Sequence, residues 1–76
     1  MSGGGAAAGA VRLTVNGDEQ LVPAEATVAS LVAGLGLEPR GIAVAVDGEV
    51  VPRRTWLERT LRTGEQVEIL TIAQGG

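Results

Sequence analysis

Val11-Arg12-Leu13-Thr14-Val15-Asn16-Gly17-Asp18-Glu19-Gln20-Leu21-Val22-Pro23 is the stretch whose reading decides the fold. Apolar and polar residues alternate strictly at its start, with Val11, Leu13 and Val15 on one side and Arg12, Thr14 and Asn16 on the other. That period of two belongs to a half-buried strand. Asn16-Gly17 is the favoured pair for a two-residue hairpin turn, because both central positions of that turn need positive φ. The chain is therefore expected to return antiparallel over Glu19 to Val22, and Pro23, which has no N–H to donate, ends the pairing.

The same grammar recurs downstream. Ile42-Ala43-Val44-Ala45-Val46 carries large residues on one face and alanines on the other. It runs into Asp47-Gly48, a second hairpin signal, and Glu49-Val50-Val51 pairs back until Pro52. Between the two hairpins, Thr27 is a good N-cap for a helix in which Val28, Leu31, Val32 and Leu35 form a single apolar stripe, and Gly36 supplies a left-handed stop. A helix this short must cover the sheet, so the stripe reads as core rather than as a partner groove. Thr55 and Glu58 have the spacing of a capping box around Trp56 and Leu57, and Leu61 closes the end of the core. Trp56, the only aromatic residue, reads as a lid over a small core in preference to an interface anchor. Thr63-Gly64-Glu65 is a turn. Gln66 to Thr71 is the last strand, with Val67 and Ile69 inward and Glu68, Leu70 and Ile72 outward.

These elements predict an α+β fold: a mixed sheet of about five strands packed on one main helix, with the last strand running through the middle. That is a ubiquitin-like β-grasp arrangement. Residues 1–10, rich in Gly and Ala, read as a disordered arm, residues 11–72 as the β-grasp domain and residues 73–76 as a flexible tail.

Composition narrows the function. The 76 residues make one small domain with a net charge of −3 and no Cys, His, Lys, Tyr or Phe. Those absences remove most side chains that enzymes use as nucleophiles, as general bases near neutral pH or as soft-metal ligands, so the chain is not expected to be an enzyme or to bind a metal. The acidic balance and single aromatic argue against nucleic acid, and against an anionic membrane surface. No apolar run reaches the roughly 18 residues of a membrane span, and the N-terminus lacks the pattern of a signal peptide, so the expected location is the cytoplasm. Arg53, Arg54, Arg59 and Arg62 cluster within ten residues, which suits a solvated turn as well as a docking patch.

The remaining candidate for chemistry is the end of the sequence, Thr71-Ile72-Ala73-Gln74-Gly75-Gly76. Terminal glycines impose no side chain and can thread a narrow channel. The α-carboxylate of Gly76, ionised at neutral pH, can attack the α-phosphate of a nucleotide and become an acyl-adenylate. Ala43, Ala45, Leu70 and Ile72 are expected to form a small apolar patch on the outer sheet face at the root of this tail, where a partner could hold the body while the end enters its active site.

Val15-Asn16-Gly17-Asp18, the run from Ala43 through Asp47-Gly48-Glu49-Val50-Val51-Pro52-Arg53, Trp56, and Val67-Glu68-Ile69 through Gln74-Gly75-Gly76 resemble the ThiS family of sulfur carriers of thiamine biosynthesis. The resemblance spans about Val11 to Gly76. Asp47 stands where the family usually has Asn, and Gly64-Glu65 where it has Gly-Asp; both exchanges suit turns. The resemblance implies that Gly76 is the point of covalent sulfur attachment, first adenylated and then converted to a thiocarboxylate, with Gly75, Gln74, Ala73, Ile72 and Leu70 contacting partners. Those partners would be an E1-like adenylating enzyme using ATP and Mg²⁺, a sulfur-donating desulfurase, and a thiazole synthase that receives the sulfur. No cofactor is expected to be bound by the chain itself. Without cysteine the chain cannot carry sulfur as a persulfide, which agrees with a terminal attachment. A molybdopterin-type sulfur carrier and a non-covalent β-grasp binding module are the alternatives; in the latter the terminal glycines would be incidental.

Overall fold

The computed structural model describes residues 9–72, and the two hairpins organise it. Strand β1 (Ala10–Val15) turns at Asn16, φ +51°, and Gly17, φ +87°, into β2 (Asp18–Pro23), with Val15 opposite Asp18 and Ala10 opposite Pro23. Both turn residues occupy the left-handed region that Asn and Gly tolerate best. The second hairpin repeats the device: β3 (Ile42–Val46) turns at Asp47, φ +51°, and Gly48, φ +84°, into the short β4 (Glu49–Val50). The Val51 N–H donates to the Val44 carbonyl at 2.8 Å and carries that pairing one step further.

Strand β1 begins at Ala10, inside the segment read from composition as a disordered arm. Ala10 pairs with Pro23, and the Gly9 carbonyl accepts from the Ala24 N–H at 2.7 Å. Strand pairing here is made by backbone groups, which a Gly/Ala composition does not disclose. The rest of that arm, residues 1–8, lies outside the described residues.

Strand β5 (Gln66–Thr71) joins the hairpins into one five-stranded mixed sheet of order β2-β1-β5-β3-β4. It runs parallel to β1, with Thr14 opposite Gln66 and Val15 opposite Val67. It runs antiparallel to β3, from Ile42 opposite Thr71 to Val46 opposite Val67. This is the expected β-grasp architecture, with the last strand at its centre.

One face of the sheet is covered by helix α1 (Val28–Gly34). Thr27 caps it: the Thr27 hydroxyl accepts from the Ser30 N–H at 3.1 Å, and the Ser30 hydroxyl accepts from the Thr27 N–H at 2.8 Å. Two further N–H groups of the first turn donate outside the helix, Val28 to the Arg59 carbonyl at 2.9 Å and Ala29 to the Trp56 carbonyl at 3.1 Å. The loop between β4 and β5 thereby satisfies donors that a helix start otherwise leaves open. At the other end Gly36, φ +73°, lets Gly36 and Leu37 donate back to Ala33 and Val32, closing the helix in a left-handed stop.

Val28, Leu31 and Val32 pack with Leu13, Val15, Val44, Val46, Val67 and Leu61 in a core that, among the described residues, buries no polar side chain. Each such Val or Leu contributes roughly 1.5–3 kcal/mol relative to exposure. Leu35, the fourth residue of the stripe, is instead 39% exposed, because it sits past the last helical turn. Trp56 is buried, as a lid should be, and its indole N–H donates to the Val51 carbonyl at 2.8 Å. The capping box read at Thr55 and Glu58 does not form. The Thr55 hydroxyl donates to the Pro52 carbonyl at 2.8 Å, at the end of a single 3-10 turn (Arg53–Thr55), leaving no longer helix there to cap.

Candidate functional site at the end of the central strand

Strand β5 leads toward the C-terminus, and the tips of both hairpins hold it. At its start, the Asp47 N–H donates to the Gln66 carbonyl and the Asp47 carboxylate accepts from the Gln66 N–H, both at 2.8 Å. One residue further on, on the other side, the Asn16 N–H donates to the Val67 carbonyl at 2.8 Å. The Asn16 side chain then carries the ladder on: its Oδ1 accepts from the Ile69 N–H at 2.8 Å, and its Nδ2 donates to the Ile69 carbonyl at 3.2 Å. A side-chain amide thus occupies the place of a further β1 residue. Beyond Ile69, the strand partner of Leu70 and Thr71 among the described residues is β3 alone, with Ala43 opposite Leu70 and Ile42 opposite Thr71. The Ile72 N–H continues on that side, to the Gly41 carbonyl at 2.8 Å.

The alternation of β5 places Leu70 and Ile72 on the face away from the helix, 64% and 44% exposed. Ala43 and Ala45 flank them on β3 and are half-buried, and Val50 follows on β4 opposite Ala45, 73% exposed. The outward apolar patch at the root of the tail is therefore where β5 parity puts it. Of the site residues read from the sequence, Leu70 and Ile72 are brought together; Ala73, Gln74, Gly75 and Gly76 lie outside the described residues.

A second surface of mixed character borders the same root on the opposite face. Leu35, Leu37, Ile42 and Ile69, with Asn16, Asp18, Gln20 and Thr71 beside them, line a shallow groove past the end of α1, which is too short to cover this corner of the sheet. Leu37 is 37% exposed. Sequence reasoning placed Leu35 in the core and passed over Leu37; the signal available was the stop at Gly36, which ends cover before this corner.

The arginine cluster is partly committed to structure. Arg59 Nη2 lies 2.9 Å from Glu65 Oε2, and Glu65 Oε1 accepts from the Arg62 N–H at 2.8 Å. Arg59 also donates to the Thr60 carbonyl. Glu65 thus braces the turn that enters β5, while Arg53, Arg54 and Arg62 are exposed. Among the described residues there is no group of three or more acidic, His or Cys side chains that could hold a metal ion. No described helix is long and apolar enough to cross a membrane.

Comparison with known proteins places this geometry in context. A family model described as the ThiS family matches residues 8–76. A curated thiazole synthase of Paramagnetospirillum magneticum is 32% identical over 66 residues, which are 87% of this chain and 20% of that protein; the chain thus spans a fifth of the length of this relative. The crystal structure of a thiamine biosynthesis protein (ThiS) from Geobacter metallireducens superposes with a TM-score of 0.76 at 30% identity, covering 87% of this chain and all of that one.

Proposed function

Because the chain belongs to the ThiS family, we propose that it is a sulfur carrier of thiamine biosynthesis, a protein co-substrate of other enzymes and not an enzyme itself. The observation that carries this reading is the family match, which runs through the Gly75-Gly76 end, combined with the exposed apolar patch where β5 leads into that end. In the reading, residues 11–72 are the body a partner grips and residues 73–76 are the arm it threads. Four extended residues reach on the order of 13 Å, enough to cross the rim of a cleft.

In this reading Gly76 supplies the reacting group. Its carboxylate oxygen attacks the α-phosphate of ATP in the site of an E1-like adenylating enzyme, which also holds the Mg²⁺, and pyrophosphate leaves. The acyl-adenylate is then attacked by the terminal sulfur of a desulfurase-derived persulfide, and AMP leaves. A thiol cleaves the resulting S–S bond and releases the thiocarboxylate on Gly76. Glycine at this position leaves the carbonyl open to both attacks. A thiazole synthase is the proposed acceptor, which the similarity to a protein of that name supports. The cytoplasm, where ATP is available, is the proposed location.

Leu70 and Ile72, with Gln74, Ala73 and Gly75 beyond them, are the proposed partner contacts. The test is the intact mass of the purified chain after incubation with cell extract, ATP and a sulfur donor, beside a chain lacking Gly76. The full chain should gain the mass of one oxygen-for-sulfur exchange and the truncated chain should not. No change in either, in an extract that loads another carrier, would exclude the reading.

A further inference from the structure

We infer that Asn16 is a positioning residue for the reaction at Gly76: its side chain sets how far along the tail-bearing strand both edges are held. The inference rests on the carrier reading above and concerns a residue outside the tail. Two separate demands meet at Asn16. Its backbone must take φ +51° to turn the first hairpin, which Asn, Asp and Gly all satisfy. Its amide must also both donate and accept, at 3.2 Å and 2.8 Å, against the two backbone groups of Ile69. Asn alone of those three residues meets the second demand, since a carboxylate cannot donate and glycine has no side chain.

The bonds have a directional consequence. With them, β5 is held on both sides through Ile69; without them, two-sided pairing ends at Val67, whose carbonyl takes the Asn16 N–H. The arm from the last two-sided anchor to Gly76 then lengthens from seven residues to nine, or from about 23 Å to about 30 Å when extended. Length alone lowers the effective concentration of the Gly76 carboxylate in a partner's site only about 1.5-fold, by the −3/2 power of length. The larger effect is loss of direction. Leu70 and Ile72, which belong to the partner-facing patch, lie beyond the clamp on the edge paired with β3 and Gly41, and the stretch from Glu68 on can then pivot about that edge. Both bonds are exposed and so lie at the weak end of the ordinary range, and losing the two corresponds to an effect on docking of roughly five- to tenfold.

Asp47 offers an internal control. It clamps the start of β5 by the same kind of contact, through Gln66, at a turn of the same φ, but at the end of the strand remote from the tail. Substitution there weakens the domain without changing where the two-sided hold on β5 ends.

The experiment compares wild type, Asn16→Asp, Asn16→Gly and Asp47→Gly as substrates in ATP–pyrophosphate exchange with the adenylating enzyme that activates the wild-type chain. Amide hydrogen exchange of each chain alone is measured in parallel. Asn16→Gly should raise the KM for the carrier five- to tenfold with kcat within twofold and lose protection at Ile69 while Val44 stays protected; Asn16→Asp, whose carboxylate still accepts from the Ile69 N–H, should raise KM less and keep that protection. Asp47→Gly should lower the melting temperature comparably and leave KM unchanged. A KM that rises equally in Asp47→Gly, or that stays at the wild-type value in both Asn16 variants, overturns the inference while leaving the carrier reading intact. If the wild-type chain is not adenylated at all, the carrier reading fails and the inference falls with it.

Discussion

Replacing Trp56 by Phe tests whether the one aromatic residue is a structural lid or a partner anchor. The ring is 4% exposed, and its N–H is given to the carbonyl of Val51, itself a buried residue. Phenylalanine fills most of the space but cannot donate, so the carbonyl loses its partner at a cost of about 1–3 kcal/mol. The smaller ring adds roughly 1 kcal/mol of lost packing. A domain of this size has on the order of 4–11 kcal/mol of stability in total, so a loss of about 2–4 kcal/mol is a large share of it. At about 4–8 °C per kcal/mol, the melting temperature should fall on the order of 8–30 °C. Far-UV circular dichroism is the suitable assay, since the substitution removes the only tryptophan. Below the new transition, adenylation of Gly76 should proceed with an unchanged KM. A fall of less than about 3 °C, or a raised KM with an unchanged melting temperature, would refute the lid and make Trp56 a contact residue.

Other perturbations have smaller and more local outcomes. Glu65→Gln removes the ion pair with the partly exposed Arg59 but keeps an acceptor for the Arg62 N–H, so urea denaturation should show a loss of only about 0.5–1 kcal/mol that shrinks in high salt. Gly36→Ala places a side chain at φ +73°, and should cost about 1–2 kcal/mol in the same assay, with no effect on partner binding. Leu70→Asp adds a charge to an exposed position, so the melting temperature should move little while affinity for the adenylating enzyme, read by calorimetry, falls about tenfold or more.

Both hairpins were legible in the sequence for one reason: alternation and turn chemistry agree at Val11 to Val22 and again at Ile42 to Val51. The central place of β5 and the outward direction of Leu70 and Ile72 followed from strand parity once the element order was known. Interactions that depend on long-range proximity were not legible. Asn16 reads as a turn residue, and nothing near it announces that Ile69 will lie within reach of its amide. Thr55 and Glu58 have the right spacing for a cap, yet the carbonyls of Trp56 and Arg59 are turned to the start of α1 instead. The groove past Leu35 is likewise a matter of where a seven-residue helix runs out over the sheet.

The order of assembly follows from the place of β5. The β1–β2 and β3–β4 hairpins do not pair with each other; each meets the sheet only through β5, which follows both in the chain. Isolated two-stranded hairpins are marginal in water, and synthesis up to Gly64 yields two half-sheets that meet through α1 and the β4–β5 loop but lack the strand that pairs with both. Closure must wait for a strand some 50 residues distant from β1, the kind of non-local contact that slows folding. The keystone that completes the sheet is also the strand that carries the tail. An unfinished domain therefore has no organised patch at the end of β5, and a partner that grips Leu70 and Ile72 as proposed would read the completed fold and Gly76 in a single encounter.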